Sequence, residues 1–285
     1  MNSSQKIKLL KWASFLIFIG RGYQYLFWDA PFRAFLWDES LLEPVVNSLL
    51  DMSWQEYASN LTFDKRVNIA ITINGFLFLI AGIASLLINE KNKKWLRIPI
   101  FIGGVFLVIL SLLLTKEKFY HLAMFFEHAI QFGTPFALLY YLKNESKPKL
   151  LFVLKILIAF TFTCHGIYAL GKVYPMPGDF VTMTINILPI TEASAIKFLF
   201  VAALLDFLVA LLIFIPKTAK IALIYAGIWG LLTALARIVA NFSFDFPWQT
   251  LHQNLYHVIY RIPHGLIPII VFLILNKNGI KSASS

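Results

Sequence analysis

Long apolar runs recur along the chain, and polar residues gather in the short stretches between them. The runs lie at about 11–28, 68–89, 97–115, 122–142, 150–171, 196–215, 219–240 and 256–275. A helix needs roughly 20 residues to cross a bilayer, and each run comes close to that length. None alternates strictly between polar and apolar positions, so each predicts a helix rather than a barrel strand. The expected fold is all-α, a polytopic membrane protein with eight transmembrane helices. One connection, about 29–67, is long and acidic. Within it "SWQE" at 53–56 has the form of a capping box, Ser53 with Glu56, and predicts a helix start. Its tryptophans, Trp28, Trp37 and Trp54, are expected at headgroup level.

Composition agrees with this pattern. Of 285 residues 59% are hydrophobic and only 14% charged, with a mean hydropathy of +0.72. Soluble domains have about 45–50% apolar and about 25% charged residues. The net charge of +10 would suggest nucleic acid in a soluble chain. Its distribution points elsewhere. With the N-terminus cytoplasmic, 15 of the 25 Lys and Arg residues fall on inner segments and 7 on outer ones, while Arg21, Arg237 and Arg261 lie within runs. This positive-inside bias predicts both termini in the cytoplasm of a bacterial-type inner membrane. The lipid bilayer is then the partner of the basic loops, and nucleic acid is not. The first run comes after basic residues as a signal peptide would. It lacks a small-x-small cleavage site and continues past Arg21 to Trp28, so it reads as an uncleaved span. The single cysteine, Cys164, excludes an intramolecular disulfide and a thiolate cluster within one chain.

The two halves share an order of features. "LLDMSWQE" (49–56) parallels "ILPITEAS" (187–194), with Ser53 or Thr191 as the helix cap. Asn74 in "INGFLFL" parallels Asp206 in "LLDFLVA". Lysine-bearing connectors come after the second and sixth runs. Tyr120-His121 and Tyr256-His257 open the fourth and eighth, each with another histidine seven residues on, His128 and His264. These features predict two parallel four-helix repeats, residues 1–145 and 146–285. Inverted repeats would need an odd number of spans per unit. "IFIGGVF" and "AGIWG" supply small residues for close helix contact.

Depth along a helix is set at about 1.5 Å per residue. Arg21, His165 and Arg237 then fall in the outer halves of their spans, with His121 and His257 at the outer rim. His128 and His264 lie about 10 Å deeper. Charges in hydrocarbon cost about 2.5–3.5 kcal/mol each, and such residues usually face a bundle interior or a cavity. An outward-facing pocket is therefore expected, lined by Arg21, His128, His165, Asp206, Arg237, Arg261 and His264. Such a set suits proton handling at a quinone-like ring, or capture of an anionic head group by the arginines. Haem would require His128 to face His264 and is the less favoured cofactor. No metal site is expected, since histidines stacked along one helix cannot share an ion. A plainer reading makes His121 and His257 interfacial anchors and the deeper histidines interhelical hydrogen-bond partners, with Asp206 and Arg237 neutralising one another. No phosphate loop, HExxH or nucleophile elbow is present, so no enzyme class is assigned.

"FTFTCHGIYALGKVYPMPGDFV" (160–181) with "FLFVAALLDFLVALLIF" (198–214) after it resembles the DoxX-like membrane family. That family's unit is a four-helix membrane domain. It often has a first helix ending in a His-Gly or Arg-bearing stretch, then a loop, then a helix with a mid-span acidic residue. His165-Gly166 and Asp206 stand at those positions, with Arg21-Gly22 and Asn74 equivalent in the first half. The resemblance implies association with quinol oxidation or other membrane redox subunits. The alternative is a non-enzymatic carrier, sensor or lipid- or anion-binding membrane module.

Overall fold

A computed structural model of the chain describes residues 3–89, 94–143 and 147–282. It is helical, with no strand among the described residues. A long helix α1 (Ser3–Phe27) leads into three short ones, α2 (Arg33–Leu36), α3 (Glu39–Val45) and α4 (Trp54–Ala58). Next come α5 (Leu61–Leu87), α6 (Arg97–Glu117), α7 (Leu122–Glu127) and α8 (Ala129–Lys143). The rest comprises α9 (Lys147–Leu170), α10 (Gly178–Ile187), α11 (Glu192–Leu212), α12 (Ala219–Val239) and α13 (Pro247–Ser282). Six of these, α5, α6, α9, α11, α12 and α13, are long and apolar enough to cross a membrane. On α5 the exposed Ile69, Ile73, Phe76, Ile80, Ile83 and Leu87 recur at three- and four-residue spacing. They form a continuous apolar flank of the kind lipid would cover. The connector carrying Lys91 and Lys93 lies outside the described residues.

Two of the expected spans come out differently. The opening run belongs to α1, whose Lys8, Lys11, Arg21 and Gln24 set it apart from the six apolar helices. The fourth run, 122–142, is not one helix but breaks at His128, between α7 and the 15-residue α8. The break is sustained from outside, because the Ile130 amide donates to Thr161 Oγ on α9 at 3.2 Å. In an apolar setting a hydroxyl from a neighbouring helix is a usual way to satisfy backbone freed by a break. The two Tyr-His pairs differ as well. Tyr120 lies in a tight turn with φ of 61°, a left-handed conformation costly for an aromatic residue. Tyr256 and His257 sit inside α13, which begins nine residues before Tyr256, at Pro247.

Packing places α1 against α5 and α13, α9 against α11, α7 and α8, and α12 against α13. A core including Phe18, Phe78, Leu138, Ile158 and Ile270 fills the space between them. The glycines permit the closest crossings. A Cβ at Gly230 would lie 2.6 Å from the His264 carbonyl oxygen, and one at Gly265 would lie 2.6 Å from that of Gly227. The small residues of "AGIWG" thus do what their spacing suggests. On α6, a Cβ at Gly103 would meet the Phe18 ring at 2.7 Å.

The 29–60 segment folds on itself. Ser53 and Glu56 form the expected capping box, the Ser53 amide donating to Glu56 Oε2 at 2.8 Å. These bonds hold the Glu56 carboxyl below the usual range. Asp38 caps α3 and pairs with Lys116 at the end of α6. The lysine hydrogen bond pulls the Asp38 carboxyl down to about 2. Arg33 joins Asp29 at 3.0 Å and Asp64 at 2.7 Å. Trp54 packs with Val46 and Tyr57 in a small core of the segment, which shelters its indole from the surroundings.

Candidate functional site: a cavity among the last five helices

Helices α9 to α13 enclose a cavity of about 540 Å³. His165 enters from α9, Asp206 from α11, Arg237 from α12, and Arg261 and His264 from α13. The remaining walls are mainly apolar, and α10 lines one side with Phe180, Met183, Thr184 and Ile187. Two glycines let the walls approach closely. Gly230 lets the backbone at His264 lie against α12, and Gly166 lets α9 approach the Ala203 carbonyl, 3.1 Å from its would-be Cβ.

His264 Nδ1 lies 2.9 Å from the Arg261 carbonyl oxygen. That oxygen can only accept, so Nδ1 bears the proton and Nε2 of the neutral ring keeps a bare lone pair. Nε2 is buried and has no partner among the described residues, and the same holds for Asp206 Oδ1 and Arg261 Nε. His264 and Asp206 are only 4% and 3% exposed. The His165 ring lies beside His264, centroids 5.9 Å apart and nearly perpendicular. Arg237 donates to the Met183 sulfur at 3.8 Å, a weak acceptor for a guanidinium. The Asp206–Arg237 ion pair is not formed: both line the cavity, but Trp229 rather than Arg237 is the hydrogen-bonding neighbour of Asp206.

Five of the seven expected pocket residues therefore share one cavity, and Arg21 and His128 do not line it. Arg21 is occupied elsewhere. Its Nε and Nη2 donate to Gln131 Oε1 at 3.0 and 2.6 Å, its Nη1 to Gln24 at 2.7 Å, and Tyr260 lies 3.7 Å beneath it. His128 sits at the α7–α8 break, its Nδ1 bonded to the Met124 carbonyl at 2.8 Å. The ring beside His264 is that of His165 on α9. Outside the cavity lining, His121 stacks on Tyr174 at 4.1 Å, and His257 bonds the Tyr260 hydroxyl at 2.6 Å.

Behind the cavity stands a residue absent from the expected pocket set. Glu127, at the end of α7, has Oε1 3.5 Å from Arg261 Nη2 and 3.8 Å from His165 Nε2. A carboxylate of the first half thus steadies two residues of the second. Helix α10 is likewise absent from the expected elements, although Phe180, Met183, Thr184 and Ile187 recur at helical spacing and are the residues it turns to the cavity.

No family model matches the chain, and neither does a curated protein or a solved structure. The reading of the site rests on its own geometry.

Proposed function

We propose that the protein is a DoxX-like accessory subunit of a membrane redox system, whose cavity binds the ring of a lipid-soluble quinone or quinol. One observation carries this reading. Three buried polar atoms without partners, His264 Nε2, Asp206 Oδ1 and Arg261 Nε, lie on residues that line the same largely apolar cavity. A buried polar atom left unpaired costs about 1–3 kcal/mol, so three together suit a ligand that pairs them. A quinol offers two hydroxyl donors, matching the lone pair of His264 and the carboxyl oxygen of Asp206. The oxidised ring offers two carbonyl acceptors, matching Arg261 and Arg237. Oxidising a quinol breaks two O–H bonds and releases two protons and two electrons. With a quinol held there, the His264 Nε2 lone pair would be placed to receive one proton, the other would pass to water, and a redox centre on a partner subunit would take the electrons.

The same proposal takes α1 and the α7–α8 pair as spans, which completes eight in two parallel repeats, 1–145 and 146–285. Helix pairing supports it: α1 packs on α5 and α13 as α9 packs on α11 and α7–α8. Gly22 also approaches the Gly75 carbonyl and the Leu79 side chain on α5 as Gly166 approaches the Ala203 carbonyl and the Phe207 ring on α11, each glycine standing directly after Arg21 or His165. The lysine bias supports an inner-membrane location with cytoplasmic termini and a cavity at the outer end.

Extraction of detergent-purified protein tests the reading. Stoichiometric quinone in the wild type, lost in His264→Ala and Asp206→Leu, is expected. A protein that carries no quinone and binds none when it is added refutes it. The weak partner of Arg237 favours one second reading, a phospholipid phosphate at that guanidinium, and mass spectrometry of the same extract separates the two.

A further inference from the structure

The cavity does not close on its α10–α12 side. Six of its lining residues, Ile187, Leu188, Phe198, Leu232, Leu235 and Val239, are between 37% and 60% exposed. All six are apolar. They come from the end of α10 and the residue after it, from α11 and from α12. Helix α11 packs chiefly on α9, and α12 chiefly on α13, so the seam between α11 and α12 is the thinly packed one. On α12 the exposed residues Ile228, Leu232, Leu235 and Val239 succeed one another at three- and four-residue spacing. They define the flank that a membrane-spanning helix turns to hydrocarbon. The mouth of the cavity is therefore part of the same face that lipid covers. At its inner end lie His264 and Asp206, with Arg237 and Arg261 also in the lining.

We infer that the ligand enters sideways from the bilayer between α11 and α12, and that it is a long-tailed amphiphile whose chain stays in this seam. The inference deepens the proposed ring-binding site, on which the identity of the head group rests. The occupant of the seam is set by its continuity with the polar cavity. A water-soluble ligand would meet an apolar rim, whereas a lipid presents its head to the polar end and leaves its chain among the six rim side chains. The chain also lowers the search to two dimensions, because the ligand is already concentrated at the depth of the mouth.

The test uses the full chain in lipid nanodiscs, with Trp229 in the cavity wall as reporter and Trp229→Phe as the background signal. Two probes are compared at equal membrane mole fraction, a long-isoprenoid quinone and the same ring without its tail. The blocking variants are Leu232→Phe and Val239→Phe, on the exposed rim, which add no second indole to the signal. The expected result is preference for the tailed probe by about tenfold or more, with blocking variants reducing only that preference. Equal binding of the two probes, or equal loss of both in the variants, overturns lateral entry and leaves the ring site standing. Binding of neither quinone, with chain-brominated phospholipid quenching Trp229 in the wild type but not in the blocked variants, sinks the quinone reading and supports the seam. Quenching by none of the three overturns both.

Discussion

Glu127 on α7 and Arg261 on α13 meet at 3.5 Å within the helical bundle, although 134 residues separate them along the chain. The carboxylate also lies near His165, so one side chain of the first half fixes the polar end of a cavity built by the second. Removing one member of a buried ion pair leaves the other uncompensated, at a cost of about 3–5 kcal/mol. Glu127→Gln is expected to lower stability toward the bottom of that range, since Arg261 keeps some exposure. Glu127→Gln combined with Arg261→Met is expected to recover most of the loss. Denaturant unfolding in detergent measures both, and a double variant no better than the single one refutes the coupling.

Asp206 leaves a buried oxygen unpaired, which costs stability. It is 3% exposed, and one carboxyl oxygen lacks a partner among the described residues. Asp206→Leu removes that burden and has cavity space to occupy. The expected outcome is a gain of about 1–3 kcal/mol in unfolding free energy, with loss of the co-purifying ligand. A destabilised variant would mean that the hydrogen bond from Trp229 outweighs the unpaired oxygen.

Gly230 sets the position of His264. Alanine there puts a Cβ 2.6 Å from the His264 carbonyl oxygen, and both atoms belong to the backbone or its first branch. Overpacking of this kind costs about 1–3 kcal/mol. Gly230→Ala is expected to destabilise by that amount and weaken ligand retention. Gly178→Ala, where a Cβ meets nothing within 4 Å, is the matched control and should leave both unchanged.

The break at His128 depends on a hydroxyl from another helix. Thr161→Val keeps the shape and removes the acceptor for the Ile130 amide. An unsatisfied buried amide costs about 1–3 kcal/mol, and that is the expected loss. Hydrogen exchange localises it: protection should fall at Ile130 and the start of α8, while α12 and α13 keep theirs.

The Asp38–Lys116 pair ties the 29–60 segment to α6. The Asp38 carboxyl is depressed to about 2 in the folded chain and titrates near 3.9 when unfolded. A lowered carboxylate stabilises fully above its unfolded value and stops doing so as pH falls through the folded one. Protease cleavage within the segment should therefore be flat from neutral pH to about pH 4 and rise only below it. Asp38→Asn should cleave readily throughout.

The long helices α5, α6, α9, α11 and α12 are legible in the sequence because bilayer thickness imposes a length and composition that no other context requires. The capping residues Ser53 and Thr191 are legible for a similar reason, since their hydrogen bonds are made within three residues. What escapes is non-local. The α7–α8 break depends on Thr161, and the role of Glu127 depends on residues of α9 and α13. Arg21 looks like a pocket residue until Gln131 and Tyr260 arrive from other helices to occupy it. The repeated Tyr-His spelling misleads for the same reason, since one pair lies in a left-handed turn and the other inside a helix. Helix α10 is the exception. Its spacing is visible in "GDFVTMTINI", but the Pro177-Gly178 turn signal masks the helix that starts there.

The contact between α1 and α13 bears on how the chain is made. Helix α1 leaves the ribosome before the other helices, yet Tyr260, which covers Arg21, and the α13 backbone that fits against Gly20 are made much later. A nascent chain therefore carries Arg21 on α1 without its aromatic cover until α13 has been synthesised. The α1–α13 contact is therefore the last of those around Arg21 to form, after Gln24 and Gln131 are in place.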